Sequence, residues 1–527
     1  MRRNGVTGIR LMNYELTAEF RHALDLLTEG TQNLFVTGRA GTGKSTLLQQ
    51  FRSATSKSVV VLAPTGVAAV NVGGETIHSF FGFKPNVTPE GVKKLRGQRA
   101  QAYKKIETIV IDEVSMVRAD LLDAVERFLF LNGKNAGEPF GGVQMVFFGD
   151  LFQLPPVVQR KEEEAFLHHY ETPYFFSAKS FLSLSLEWIE LTKVFRQTDS
   201  AFLDILNHIR NQMVTDRELA ILNQKVQNGA AISKFSDCIV LTTTNKQALT
   251  INLNHLARLP TKQHSFSAII EGIFEDNAFP TASQLELKDG AQIMLLNNDS
   301  LGRWVNGTLA KIKKINFEEE RILIVLPNEC EEEITPYTWD MFHFSVDTAL
   351  QRLVPVSIGK FTQMPVRLAW AITIHKSQGL TFDKAVIDLT HRTFAHGQLY
   401  VAMSRLRTLD GLSLTCPVRK QDILLDHKVL DFITEHQYGL SAINQTLPLK
   451  MELIDEAIRK KRILEMVYLK NDDQKTNRIV TPIGVGEKIF QGKPYMGLLA
   501  YCHSLGEERT FRVDRILEMT VKEGEDR

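Results

Sequence analysis

Eight consecutive residues, Gly38-Arg39-Ala40-Gly41-Thr42-Gly43-Lys44-Ser45, have the spacing G-x-x-x-x-G-K-[ST]. A loop of this kind binds phosphate. Its glycines let backbone N–H groups turn inward around phosphate oxygens with no side chain in the way. Lys44 neutralises the β- and γ-phosphates, and the Ser45 hydroxyl is a ligand for Mg2+. Gly38, Gly41, Thr42, Gly43, Lys44, Ser45 and Thr46 are therefore the expected nucleotide-binding residues. A second group, Thr108-Ile109-Val110-Ile111-Asp112-Glu113, ends an apolar run in two carboxylates. Asp112 is expected to hold Mg2+ through water. Glu113 is expected to orient or deprotonate the attacking water, since phosphoryl transfer needs positioning more than covalent chemistry. Alone, the pair reads as an ordinary helix start with a favourable dipole; beside the phosphate loop the catalytic reading prevails.

This chemistry requires a strand before the loop and a helix after it. Residues 34–37 are apolar and residues 46–51 have helical periodicity, as required. The same alternation of β-rich runs (33–37, 59–62, 108–111, 143–148) with helical runs such as 119–131 continues to about residue 191, the pattern of a parallel sheet covered by helices. It returns at 238–244 and 385–389. Between them, residues 285–365 change texture to short strands separated by Gly, Asn, Pro and Glu, which reads as an inserted antiparallel β module. Residues 437–449 are polar and read as a linker. Residues 451–527 open on one helical run and continue as short strands with turns expected at Asn471-Asp472, Pro482 and Gly492.

The chain has 527 residues, enough for three or four domains at about 150 residues each. Its 43% hydrophobic and 23% charged content excludes a disordered, collagen-like or membrane-spanning chain. The formal net charge is only +1, so a nucleic-acid partner must be argued from local features. Cys238, Cys330, Cys416 and Cys502 lack CxxC spacing, which reads as four thiols in a reducing cytoplasm. Met1, Arg2 and Arg3 are followed by no apolar run, so no signal peptide is read.

Four further motifs identify a family. They are Gly149-Asp150-Leu151-Phe152-Gln153-Leu154-Pro155-Pro156-Val157, Leu191-Thr192-Lys193-Val194-Phe195-Arg196-Gln197, Trp370-Ala371-Ile372-Thr373-Ile374-His375-Lys376-Ser377-Gln378-Gly379 and Leu399-Tyr400-Val401-Ala402-Met403-Ser404-Arg405. With the two groups above, in this order, they resemble superfamily-one DNA helicases of the RecD-like class. Pro139-Phe140-Gly141-Gly142-Val143-Gln144 resembles the signature of the PIF (petite integration frequency) helicases. The resemblance spans about residues 14–420.

The resemblance implies an α/β fold with two RecA-like P-loop domains built on parallel sheets. The first spans 1–195, with a small wedge insertion at 81–106; the second spans 196–284 and 366–436 and carries a small β-barrel insertion at 285–365. ATP and Mg2+ are the implied cofactors. Gln153 is implied to sense the γ-phosphate, Arg196 and Arg405 to reach it from the second domain, and Gly379 to lie at the nucleotide. Single-stranded DNA is implied along Pro64, Thr65, Gly66, Thr76, His78 and Phe80 of the first domain, His375 and Lys376 of the second, and Asn306 of the insertion; for His78 and Phe80 the alternative is core packing beneath the loop. The family commonly reads adenine with a glutamine, and Arg21 stands where it is expected, which implies ATP preferred with weaker discrimination. Residues 92–106 carry Lys93, Lys94, Arg96, Arg99, Lys104 and Lys105 with Tyr103 interleaved and no acid. Such a run suits a phosphate track or a strand-separating wedge as well as a solvated helix face.

The tail, about 451–518, resembles the β-rich WYL domain through Arg478, Pro482, Tyr495, Tyr501, Cys502, Arg509-Thr510-Phe511-Arg512 and Asp514-Arg515-Ile516, although the namesake triplet reads Pro494-Tyr495-Met496. The resemblance implies a site for nucleic acid or a small ligand; the alternative is that the arginines pair with nearby Asp514 and Glu518. The expectation for the whole is a monomeric, cytoplasmic ATP-dependent DNA helicase moving 5′ to 3′. It would act on forks or on structured DNA such as G-quadruplexes, in genome maintenance. The alternatives are a translocase that displaces proteins without unwinding, and a ligand-responsive regulator acting through the tail.

Overall fold

The β-rich runs before residue 191 assemble into one six-stranded parallel sheet. The structure is a computed structural model that describes residues 17–84, 87–96, 98–158, 160–227, 238–274, 279–347, 352–469, 475–490 and 493–522. The strands are β1 (Asn33–Gly38), β2 (Val59–Ala63), β3 (Glu75–Thr76), β4 (Thr108–Ile111), β5 (Gln144–Gly149) and β6 (Leu186–Leu191), in the order β3-β2-β4-β5-β1-β6. Parallel pairing delivers every strand's C-terminal end to one edge of the sheet. Gly38, Asp112 and Asp150 therefore leave the sheet on the same side. Leu34, Val36, Val110, Val146 and Phe148 pack with Leu47 and Phe51 of the helix Lys44–Ala54 in one core. Burying a ring such as Phe51 stabilises the loop's anchor by about 2–3 kcal/mol.

A second parallel sheet follows. Its strands are β7 (Ile239–Thr242) and, after the insertion, β18 (Ala371–Thr373), β19 (Ala385–Asp388) and β20 (Leu412–Leu414), in the order β18-β7-β19-β20. The two parallel sheets agree with the expected pair of RecA-like domains.

The described strands of the insertion are antiparallel. Antiparallel strands begin at β8 (Gln263–Ser267) and β9 (Ile269–Gly272), upstream of the expected start at 285. They continue through β10 (Gln284–Lys288), β11 (Gln292–Leu295), β12 (Leu309–Asn316), β13 (Arg321–Val325), β14 (Glu331–Ile334), β15 (Tyr337–Asp347), β16 (Arg352–Gln363) and β17 (Val366–Leu368). They pair as three sheets: β14-β13-β12-β11-β17, β15-β16-β9 and β10-β8. Among the described residues no strand pairing closes any of them into a barrel. One core, including Leu287, Ile293, Trp304, Ile322 and Ile324, lies under the larger sheet, while Trp339 and Phe361 form a separate cluster with Phe274.

Met1–Leu206 with Asp216–Leu424 forms one compact unit; Asn207–Thr215 with Leu425–Arg527 forms the other. In the second unit, residues 437–450 are not an extended linker. They run through the helices His427–Asn444 and Leu447–Arg459. Thr446 caps the latter by accepting the Leu449 N–H, and Ile454 and Ala457 seal it onto the sheet. That sheet is antiparallel: β21 (Leu464–Leu469), β22 (Lys475–Phe490), β23 (Lys493–Cys502), β24 (Glu507–Arg512) and β25 (Ile516–Val521), in the order β24-β23-β22-β21-β25. The residues before 17 and the turns expected at Asn471-Asp472 and Gly492 lie outside the described residues. No described helix is long and apolar enough to cross a membrane.

Candidate active site

The loop after β1 needs backbone that only glycine adopts readily. Gly38, Gly41 and Gly43 have φ of 153°, 84° and 92°. At Gly41 a Cβ would also lie 2.5 Å from the Arg196 Cβ, so the segment after β6 rests directly on the loop. The Phe195 N–H donates to the Gly41 carbonyl at 2.9 Å. Lys44 folds back over the loop, donating from Nζ to Gly38 O (2.6 Å) and Arg39 O (3.1 Å). Burial lowers the Lys44 pKa, and the carboxylates of Asp150, Glu113 and Asp112 oppose that shift.

The carboxylate pair stands beside this lysine. Asp112 has its pKa pushed up to about 7, first by burial and then by Glu113. Glu113 is also raised by burial, while Lys44, Arg405 and Arg196 favour its ionised form. Its φ of 50° is a left-handed conformation uncommon for a side-chain-bearing residue, a local strain placed at the centre of the site.

Nucleotide and cation fit these residues. Ser45 and Asp112 offer oxygen donors, the hard-ligand chemistry that Mg2+ takes. The raised pKa of Asp112 marks a buried carboxylate short of positive charge, and the positive-φ glycines leave the loop open to phosphate.

Both arginines arrive as expected. Arg196 Nη1 donates to Ser404 O at 3.1 Å, and its pKa falls to about 9 through burial and then repulsion from Arg405. Arg405 is 2% exposed, and its guanidinium donates to Val401 O and Ser404 Oγ. Gln153 is buried; Nε2 donates to Asp150 Oδ2 (3.3 Å), and Oε1 lies 3.5 Å from Gln378 Nε2. Gly379 has φ of 79° and open space around its Cα. Thr42 is buried, whereas Ser45 and Thr46 are exposed at the start of the helix. Sequence reasoning passed over Tyr400, Gln197 and Phe195. Gln197 Nε2 donates to both Ser404 O and Leu406 O at 3.0 Å. Phe195 is 38% exposed, with ring carbons 4.0 Å from where a Gly43 Cβ would stand. All three sit inside motifs already quoted, but an aromatic in an apolar run signals core before it signals a site.

The expected DNA residues divide. Thr65 and Thr76 cap short helices, accepting from Ala68 N and Ser79 N. They leave Pro64, Thr65, Gly66, Thr76 and His78 at least partly accessible at the ends of β2 and β3. A cleft of about 210 Å³ separates Gly66, Thr76 and Ser79 from Phe274, Trp339 and Met341 of the insertion. His375 and Lys376 follow β18, Lys376 exposed and His375 half-buried, and burial lowers both pKa values. Asn306 lies beside Gly307, which packs closely on Leu380: a Cβ at Gly307 would lie 2.7 Å from Leu380 Cδ2.

Phe80 is a correction. It is 2% exposed and packs edge-on against Phe81 and Tyr103, so it belongs to the core and does not present a face to a base. Tyr103, read as part of a cationic-aromatic track, is likewise 3% exposed, and its hydroxyl donates to Phe80 O at 2.7 Å. Lys93, Lys94, Arg96 and Lys104 remain exposed; the Arg99 side chain lies outside the described residues. In the tail, Arg512 pairs with Asp514, as the alternative expects, whereas Arg509 pairs with Glu507.

Two RecA-like sheets, a phosphate loop, an acidic pair and two arginines converging on one cleft define a P-loop motor ATPase of helicase type. Comparison gives the family. Residues 14–220 match the PIF1-like helicase model, and 450–521 match the WYL domain. The ATP-dependent DNA helicase Pif1 of Bdellovibrio bacteriovorus is 33% identical over 440 residues, 80% of this chain and 92% of that protein. The crystal structure of Bacteroides sp. Pif1 in complex with ADP-AlF4 superposes with a TM-score of 0.74 at 39% identity, covering 81% of this chain and 98% of that one. The same Bacteroides protein bound to single-stranded DNA superposes at 0.60, with 39% identity and the same coverage. The chain belongs to the PIF1-like helicases, with a WYL domain appended, and is an ATP-dependent, ATP-hydrolysing DNA helicase.

Proposed function

We propose that this helicase moves 5′ to 3′ along single-stranded DNA and opens forked duplexes and G-quadruplexes in genome maintenance, acting as a monomer in the bacterial cytoplasm or nucleoid. The observation that carries the motor reading is that Tyr400 and Arg405, from the second sheet's domain, are buried against the loop, Asp150 and Glu113 of the first. Hydrolysis and domain separation then depend on one another.

In this reading Lys44 and the loop N–H groups hold the β- and γ-phosphates, and Ser45 and Asp112 hold Mg2+. Mg2+, when bound there, would supply positive charge against the negative charge of the phosphates. Glu113 accepts a proton from the attacking water; burial raises its pKa, which suits a base, and Lys44, Arg405 and Arg196 oppose that shift. Gln153 reports the γ-phosphate to Asp150. Arg196 and Arg405 stabilise transferred charge only in the closed cleft.

Single-stranded DNA runs over Pro64, Thr65, Gly66, Thr76 and His78, then His375, Lys376 and Asn306. The DNA-bound Bacteroides relative supports this partner. The WYL unit modulates the motor by binding nucleic acid or a small ligand; the exposed Arg509 and Arg512 pairs, worth about 0–1 kcal/mol each, exchange readily for phosphate. The deciding experiment compares tailed duplexes of each polarity, with ATPase measured alongside. A 5′-tailed duplex is unwound and a 3′-tailed one is not. Lys44→Ala abolishes hydrolysis and unwinding while DNA binding remains measurable. Unwinding from the 3′ tail alone overturns the polarity, and unwinding by Lys44→Ala overturns the motor.

A further inference from the structure

Tyr400 does no chemistry in the proposed mechanism, yet its hydroxyl makes two polar contacts between the two sheets' domains. It is 4% exposed in the helix Gln398–Met403. Its hydroxyl accepts the Ala40 N–H of the phosphate loop at 3.1 Å and donates to Asp150 Oδ2 at 3.2 Å. A phenol has one proton, which it donates to the carboxylate oxygen, while the amide N–H is accepted by a lone pair, so both partners are satisfied at once. Asp150 is fully buried, and its Oδ1 accepts the Phe152 N–H at 3.2 Å. The oxygen that meets Tyr400 also accepts Gln153 Nε2. The phenol is thus one bond from the phosphate loop and two from the γ-phosphate sensor.

A second, independent feature holds the ring there. Gly397, just before the helix, has φ of 69°, and a Cβ would fall 2.2 Å from Phe152 O and 2.5 Å from Gln153 O. Only glycine lets this helix start seat against the segment after β5.

We propose that Tyr400 is a positioning residue for phosphoryl transfer: closure of the second domain brings its hydroxyl between the phosphate loop and Asp150, which fixes Gln153 relative to Arg196 and Arg405. The inference rests on the reading of Gln153, Arg196 and Arg405 as γ-phosphate groups. The hydroxyl donates nothing to the nucleotide in this scheme. Its loss therefore leaves ATP binding intact and slows the step that needs correct alignment.

The test is Tyr400→Phe in the full chain, which keeps the ring and removes one oxygen. Steady-state hydrolysis of Mg2+·ATP is measured with saturating oligodeoxythymidine. We expect kcat to fall by about 10- to 100-fold with KM for ATP within about twofold. Asp150→Asn probes the same link from the other side, and keeps the inference testable if the phenylalanine variant fails to fold. The double variant is expected to be no slower than the slower single one, because both act on the same Tyr400–Asp150 link. Wild-type kcat in Tyr400→Phe, a loss carried by KM, or independent multiplication of the two effects overturns the inference. Gln153→Ala, Arg196→Ala and Lys44→Ala run in parallel keep the two readings apart. If those three keep wild-type hydrolysis, the reading of the cleft has failed; if they lose it and Tyr400→Phe does not, only the role of Tyr400 has.

Discussion

Arg196 rests on Ser404, the residue immediately before Arg405: its Nη1 donates to the Ser404 carbonyl at 3.1 Å. Two arginines separated by 209 positions in the chain thus share one support, since Arg405 also donates to the Ser404 hydroxyl, and Arg405 lowers the readiness of Arg196 to stay charged without an anion nearby. Arg196→Ala and Arg405→Lys are each expected to lower DNA-stimulated kcat by about 10³-fold, with KM for ATP changed by less than about threefold. Single-turnover hydrolysis checks this; a large rise in KM with normal turnover would show that they bind the ground state instead.

Phe80 and His78 are two residues apart and should separate cleanly. Phe80→Ala removes a buried ring from the cluster with Phe81 and Tyr103 and is expected to cost about 3–5 kcal/mol of stability, read as a lower melting temperature. His78→Ala is expected to leave melting unchanged and weaken single-stranded DNA binding by about 1–3 kcal/mol if its ring stacks on a base. Fluorescence anisotropy with a labelled oligonucleotide measures the second effect.

The Asp112 carboxyl, ordinarily near 3.8, titrates at about 7 here. Near neutral pH, Mg2+·ADP must therefore displace a proton from it. Affinity is expected to fall as pH drops from about 8 to 6, with proton release near pH 7 that Asp112→Asn abolishes. Calorimetry in two buffers of different ionisation heat measures the released proton. For stability the sign is opposite. A raised carboxyl pKa is a cost fully present above about pH 7 and relieved as pH falls through it, so this group makes the nucleotide-free protein slightly more stable at pH 6 than at pH 8.

Phe195 lies at the mouth of the phosphate loop, with Lys193 Nζ 5.3 Å from its ring centroid. A ring there stacks on any base, and Arg21 is exposed where a glutamine would read adenine. Phe195→Ala is expected to raise KM by about tenfold for ATP and GTP alike, and the unaltered chain to prefer ATP while still hydrolysing GTP. Strict ATP dependence would count against this account of the base site.

The phosphate loop, the acidic pair and the order of the motor motifs were legible in the residues themselves. Their chemistry depends on local spacing: glycines at three loop positions, two carboxylates at a strand end, arginines inside short motifs. The parallel sheets were legible too, since strand and helix periodicities alternate along the chain. Other properties depend on contacts between distant segments. The insertion's separate sheets, the helices across 437–450, the burial of Phe80 and Tyr103, and the hydroxyl of Tyr400 between Ala40 and Asp150 are of this kind. An aromatic residue has the same local pattern in a core as at a site, and a pairing edge has no signature in a single strand. Only packing in three dimensions decides which ring is buried and which hydroxyl bridges the cleft.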